Sequence, residues 1–163
     1  MMDKELAPAR TRHDRRRTLI GLLFLATAGG LSVYSVFLRP TYSGASLDVA
    51  EAHRQARDGS VLLIDIRRPD EWERTGIPDG AHAIDMRRPD FSGALLAAAG
   101  HDRARAIALI CARGVRSAKL GERLTAAGFE NVLNVPEGML GSSAGPGWLA
   151  LGLPVQHHAG HSE

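Results

Sequence analysis

At 163 residues and 44% hydrophobic composition, the chain has enough apolar material for one domain with a real core and too little length for two. Its formal charge of +2 is unevenly spread, since residues 1–45 hold seven of the 20 Lys and Arg and three of the 18 Asp and Glu, leaving 13 basic and 15 acidic residues beyond. Such a remainder lacks the concentrated basic face that nucleic acid requires, and the single cysteine, Cys111, excludes an intramolecular disulfide.

Arg15, Arg16 and Arg17 precede an uncharged run from Thr18 to Leu38. As a helix its 21 residues would span roughly 30 Å, enough to cross a bilayer. Positive charge ahead of the run and little after it places the N-terminus in the cytoplasm and the rest outside. The arginines followed by "TLI" also resemble a twin-arginine export signal, and Ser43, Gly44 and Ala45 supply a small-residue cleavage pattern. A cleaved signal and a retained membrane anchor both fit residues 1–45. A buried core helix fits less well, because charged residues and a proline isolate the run. Both leading readings export the remainder, either free in the periplasm or held on the periplasmic side of the inner membrane. The expected organisation is a folded domain over residues 46–156 and a flexible tail over 157–163.

From Ser46 onward, short apolar runs alternate with helical patterns, which predicts an α/β domain with a mainly parallel sheet. "LDVAEAHRQARDG" reads as a helix capped by Asp48 with Glu51 three residues later, apolar at Val49, Ala52 and Ala56, and ended by Gly59. "VLLID", from Val61, is apolar on both faces and too short for a helix, so it is a central strand. Pro69 suits the first turn of a short helix through Trp72. "AIALI", Ala106 to Ile110, is a second buried strand. Leu120, Leu124 and Ala127 form a helical stripe ending at Gly128, and Val132 to Val135 form a third strand. The stretch from "GPGWLALGLPV" onward holds one short helix at most. "DIRRPD" at Asp65–Asp70 recurs as "DMRRPD" at Asp85–Asp90, and both copies read as strand-to-helix junctions in which proline starts the helix. Two copies do not make a solenoid.

Cys111 follows a buried strand and precedes a helix that starts near Ser117, the position beyond strand carboxyl ends where α/β sheets bind ligands. Between them, Ala112, Arg113, Gly114, Val115 and Arg116 supply one glycine for tight curvature and two arginines. Successive backbone N–H groups in such a loop cradle an anion, aided by the positive end of the helix dipole. The same field favours thiolate over thiol and makes a nucleophile. The competing reading is a cysteine that merely completes the hydrophobic strand. Cysteine-dependent phosphatases and related arsenate reductases place five residues between cysteine and arginine, enclosing a tetrahedral oxyanion. Here four residues, Ala112 to Val115, separate Cys111 from Arg116, a ring that suits one extra sulfur atom better.

Three stretches resemble the single-domain rhodanese-like sulfurtransferases: "VLLIDIRRPDEWERTGIPDGAHAIDM" at Val61–Met86, "LICARGVRSAKLGERLTAAGFENVLNVPEGM" at Leu109–Met139 and "GWLALGLPV" at Gly147–Val155. Together they cover nearly everything beyond Gly59. The resemblance implies a five-stranded parallel sheet with helices on both faces. It implies a reaction without a cofactor or metal, in which sulfane sulfur moves from a small-molecule or protein donor, thiosulfate-like and anionic, to a thiophilic acceptor such as cyanide or a thiol. By position Cys111 carries the persulfide, the amides of Ala112 to Ser117 stabilise it, and Arg113 and Arg116 attract the donor. Asp65 and Arg67 match the family's acidic and basic residues after its first core strand, the former structural and the latter a support for the loop. Where the family commonly reads Gly-His-Ile-Pro-Gly-Ala, this chain has Thr75, Gly76, Ile77, Pro78, Asp79, Gly80 and Ala81, without the histidine and with an added aspartate. Trp72 and Trp148 read as packing anchors. His157, His158 and His161 lie in a polar tail with no companion ligands and read as solvated. Two other readings stand beside the enzyme: a non-catalytic sulfur-carrier or protein-binding module on the same scaffold, and, disfavoured by the loop length, a phosphatase or arsenate reductase.

Overall fold

The computed structural model describes residues 43–157. The segment read as signal or anchor lies outside the described residues up to position 42, as do His158 and His161. In chain order the elements are α1 (Val49–Asp58), β1 (Leu62–Asp65), α2 (Pro69–Thr75), β2 (Ile77–Pro78), β3 (Ala81–Ala83), α3 (Phe91–Ala98), β4 (Ile107–Ile110), α4 (Val115–Ala126), β5 (Val132–Asn134) and β6 (Val155–Gln156).

Four strands make one parallel sheet in the order β3-β1-β4-β5, with Leu62 opposite Ile107 and Ile107 opposite Val132. Because strand side chains alternate between faces, each apolar strand feeds two cores at once. Leu62, Ile64, Ile107, Leu109 and Val132 pack with Phe91, Leu95, Leu120, Leu124 and Phe129 beneath α3 and α4. Leu63, Ala108 and Ile110 pack with Val49, Ala52, Met139 and Trp148 beneath α1. This two-sided burial is why β1 and β4 read as unbroken apolar runs.

The expectation of five parallel strands is corrected to four. Ser46 stands beside Asn134 in a single parallel bridge, with Asn134 N–H donating to Ala45 O and Leu47 N–H to Asn134 O, each at 3.0 Å. Two residues later Asp48 caps α1 through an Oδ1 that accepts from Glu51 N–H at 2.8 Å, so the chain turns into helix before a fifth strand can lengthen. The C-terminal stretch, read as holding one short helix at most, holds none among the described residues. Val155–Gln156 instead pairs antiparallel with Ile77–Pro78.

The added Asp79 finds its use at that junction. It accepts from Arg57 Nη1 at 2.9 Å and Gln156 Nε2 at 3.1 Å, and lies 3.5 Å from His53 Nε2, so it ties α1 to the closing strand. Its carboxyl is held below the ordinary value, first by the Gln156 bond and then by Arg57 and His53. Trp148 is fully buried and meets the His53 ring edge-on at 5.3 Å between centroids, a packing anchor as expected.

The repeated sextet folds the same way twice at its start. Arg67 grips Asp65 through backbone N–H and guanidinium, and Arg87 grips Asp85 through the same atoms. The copies then diverge. Pro69 opens α2, whereas α3 begins at Phe91, two residues after Pro89.

Leu95 is fully buried between α3 and the sheet. Leu95→Ala is expected to lower the unfolding free energy by about 2–5 kcal/mol, through lost transfer energy and the cavity left behind, as read by urea denaturation at unchanged slope.

Candidate active site

Cys111 continues the alternation of Ile107 and Leu109, so its side chain points into the core beneath α3 and α4 and is 1% exposed. The two sequence readings of this residue therefore describe one position. The thiol packs as a strand-end hydrophobe, and its backbone begins the loop.

That loop turns on Gly114, which has φ of +80° and caps α4. A Cβ at Gly114 would overlap the carbonyl of Pro136, so only glycine fits both the conformation and the space. From the other side, Gly138, with φ of +66°, lies so close that a Cβ would come within 2.7 Å of the Ala112 carbonyl and Arg113 N. Met139 N–H donates to Cys111 O and Leu140 N–H to Ala112 O, both at 2.9 Å, which clamps the loop to the 136–141 segment. The backbone N–H groups of Ala112 to Ser117 donate to no carbonyl among the described residues, leaving six donors at the positive end of α4. Ser117 is fully buried, and its Oγ lies 3.4 Å from Cys111 Sγ and 2.9 Å from Gly114 O, so one hydroxyl hydrogen has two acceptors within reach.

The two loop arginines are placed differently. Arg113 is exposed and donates from Nη1 to Gly141 O at 3.0 Å; among the described residues it has no carboxylate partner. Arg116 is held by Glu71, with Nη1 to Oε2 at 2.8 Å and Nη2 to Oε1 at 2.7 Å, the bidentate fork that guanidinium and carboxylate favour. Glu71 raises the Arg116 pKa against the opposing effect of burial. Arg116 in turn holds the Glu71 carboxyl below its ordinary value against the opposing effect of burial.

Asp65 and Arg67 do not touch the loop. Both are buried, with Arg67 Nη2 to Asp65 Oδ2 at 2.7 Å. Burial pushes the Asp65 carboxyl up, while Arg67 and the neighbouring Trp72 pull it down. The same guanidinium donates to Thr75 Oγ1 at 2.7 Å, Gly76 O at 2.6 Å and Glu71 O at 3.3 Å. Its support for the loop is thus indirect: Arg67 fixes α2, and α2 presents Glu71 to Arg116.

Sequence reasoning missed Glu71, Glu137 and Gly138. Glu71 carried a weak signal, a carboxylate three residues after Arg68 at a helix start, and its Oε2 does accept from Arg68 N–H at 3.2 Å. Glu137 is buried and accepts from Val49 N–H at 2.7 Å, capping a helix 88 residues away, for which nothing local gives a sign.

A cysteine at the carboxyl end of a central parallel strand, followed by a loop whose backbone amides donate to no carbonyl among the described residues, stands where parallel α/β sheets bind ligands. The family model described as "Rhodanese-like domain" matches residues 48–144, and the chain belongs to that family. A Rickettsia rickettsii protein called "Uncharacterized protein RP600 homolog" is 27% identical over 103 residues, covering 60% of this chain and 84% of that protein. Among solved structures, the polysulfide-sulfur transferase homodimer of Wolinella succinogenes is similar at 25% identity and a TM-score of 0.52, over 74% of this chain and 83% of its own. A thiosulfate sulfurtransferase of Pseudomonas aeruginosa shares the fold at 22% identity and a TM-score of 0.55, over 70% of this chain and 20% of that one.

Two outcomes are expected. Gly114→Ala destabilises the protein by several kcal/mol in chemical denaturation, because the φ of +80° and the Pro136 carbonyl both oppose a side chain. The second concerns pH. Glu71 has a depressed folded-state pKa, so its stabilising effect is complete above its ordinary value of 4.5 and is lost as pH falls through the lower folded value. Unfolding free energies of the wild type and Glu71→Gln are therefore expected to differ at neutral pH and to converge in acid.

Proposed function

We propose that the protein is a sulfurtransferase that moves sulfane sulfur from an anionic donor to a thiophilic acceptor through a persulfide on Cys111. The observation that carries this reading is a strand-end Cys111, its Sγ 3.4 Å from Ser117 Oγ, at the start of a loop whose six amides donate to no carbonyl among the described residues and which reaches Arg116 after only four intervening residues. With thiosulfate as donor, the Cys111 thiolate attacks the outer sulfur. A new S–S bond forms, the donor S–S bond breaks, and its electron pair leaves with sulfite. An acceptor thiolate or cyanide then bonds to the terminal sulfur, and the pair from the broken S–S bond returns to Cys111. The amides of Ala112, Arg113, Gly114, Val115, Arg116 and Ser117 hold the terminal sulfur while it is anionic, as an oxyanion hole holds oxygen. Arg113, exposed and without a carboxylate partner among the described residues, draws the donor in. Asp65 and Arg67 are positioning residues that act through α2. No cofactor or metal enters these steps.

Residues 1–45 carry the accompanying proposal that the domain over 46–156 works outside the cytoplasmic membrane, released by cleavage or held by the Thr18–Leu38 run. One observation favours a second reading, a sulfur-carrier or protein-binding module without turnover: Cys111 is only 1% exposed.

The experiment is intact mass spectrometry after incubation with thiosulfate or a persulfide donor. One adduct of about 32 Da per chain is expected, to be removed by cyanide as thiocyanate and to be absent in Cys111→Ser. No adduct from any sulfane donor overturns the proposal. An adduct that no thiol or cyanide discharges turns it toward the carrier reading.

A further inference from the structure

The Glu71–Arg116 fork has a consequence for which donors the site accepts. Resting on the persulfide reading above, we infer that Glu71 is a specificity-determining residue that cancels the charge of Arg116 and makes the site select singly charged persulfide donors over dianions such as thiosulfate.

Both terminal nitrogens of Arg116 are taken up by the two Glu71 oxygens at 2.8 and 2.7 Å, with the Glu71 side chain 13% exposed and that of Arg116 35%. The neighbouring charges on α2 and after β3 are engaged in ion pairs of their own. Arg68 and Arg74 share Asp70 at 2.9 and 2.8 Å, Arg68 Nε also lies 3.5 Å from Glu71 Oε2, and Arg87 lies 2.6 Å from Asp85. Of the loop's two guanidiniums, only Arg113 retains a charge uncancelled by a carboxylate, since its partner is the neutral Gly141 carbonyl. The amides at the start of α4 add a further partial positive charge. One free guanidinium and a helix terminus match a single negative charge approaching a thiolate. A dianion arriving at the same thiolate needs the second guanidinium, which Glu71 holds.

A persulfide donor balances without additional reagents. The Cys111 thiolate attacks the terminal sulfur of R–S–S⁻, a Cys111 S–S bond forms, and the donor S–S bond breaks with its electron pair leaving on R–S⁻.

The single cysteine permits a direct reading of charge at this position. Iodoacetate and iodoacetamide alkylate a thiolate in the same way, forming C–S and releasing iodide, but only iodoacetate carries a negative charge. Their rate ratio at Cys111 therefore cancels thiol reactivity and exposure. In Glu71→Gln the ratio is expected to rise about fivefold, the effect of one uncompensated charge at contact distance in a watery mouth. It is expected to stay at the wild-type value in Glu71→Asp and to lose the rise in the double variant Glu71→Gln/Arg116→Gln. An unchanged ratio in Glu71→Gln, or a rise that persists without Arg116, overturns the inference. Should Glu71→Gln fail to fold, Arg116→Gln alone decides. It leaves Glu71 uncompensated and must lower the ratio, and an unchanged ratio sinks the idea. In parallel, kcat/KM for thiosulfate relative to that for cysteine persulfide is expected to rise in Glu71→Gln, whereas a merely structural role would depress both alike and leave their ratio unchanged. The alkylation ratio needs no turnover, so a missing sulfur adduct indicts the persulfide reading, and a flat ratio with the adduct present indicts only the charge argument.

Discussion

A single buried guanidinium, that of Arg67, ties together the end of β1 and both ends of α2. It satisfies Asp65, which no other cation reaches among the described residues, and spends its remaining donors on Thr75 Oγ1, Gly76 O and Glu71 O. Removing either member of such a pair leaves an uncompensated buried charge, a cost on the order of 3–5 kcal/mol. The pair's value here is positional. It sets the angle at which α2 leaves the sheet, and that angle brings the Glu71 carboxylate to Arg116 in the loop after Cys111.

The loop is confined from three sides. Below it, the pleat of β4 sends Cys111 into the core. On one flank, Gly114 and Gly138 let two backbones approach closer than any side chain would permit, with Met139 and Leu140 donating to the carbonyls of Cys111 and Ala112. On the other, the Glu71–Arg116 fork closes the ring. Those two carbonyls are committed to the 136–141 segment, while the amides of Ala112 to Ser117 donate to no carbonyl among the described residues. Preorganisation of this kind lets weak dipoles act strongly on an anion, since no donor has to reorient when charge arrives.

Local signals carried β1, β4 and β5, the Asp48 cap, the start of α2 at Pro69 and the position of Cys111 between strand and helix. Those signals are periodicities and caps, each expressed within a few residues. The twin sextets show where that legibility stops. Asp65–Arg67 and Asp85–Arg87 adopt the same clasp because the same residues stand at the same spacing. Yet the Arg67 side chain is 2% exposed and that of Arg87 61%, because β1 is central in the sheet and β3 lies at its edge. Nothing in either hexapeptide records that difference. The shortened fifth strand was hidden for a related reason: the capping of α1 competes with strand pairing for the same few residues after Ser46.

By itself the sequence determined an α/β chain of the rhodanese-like family, with one cysteine at a strand end and a glycine-arginine loop of four residues before Arg116. Only the tertiary structure decided how the two loop arginines divide their work. Glu71 lies 45 residues before Arg116, and Glu137 lies 88 residues after the helix start it caps. Partners so distant share no period and no local spacing, and they meet only because parallel strands bring the ends of β1, β4 and β5 to one edge of the sheet.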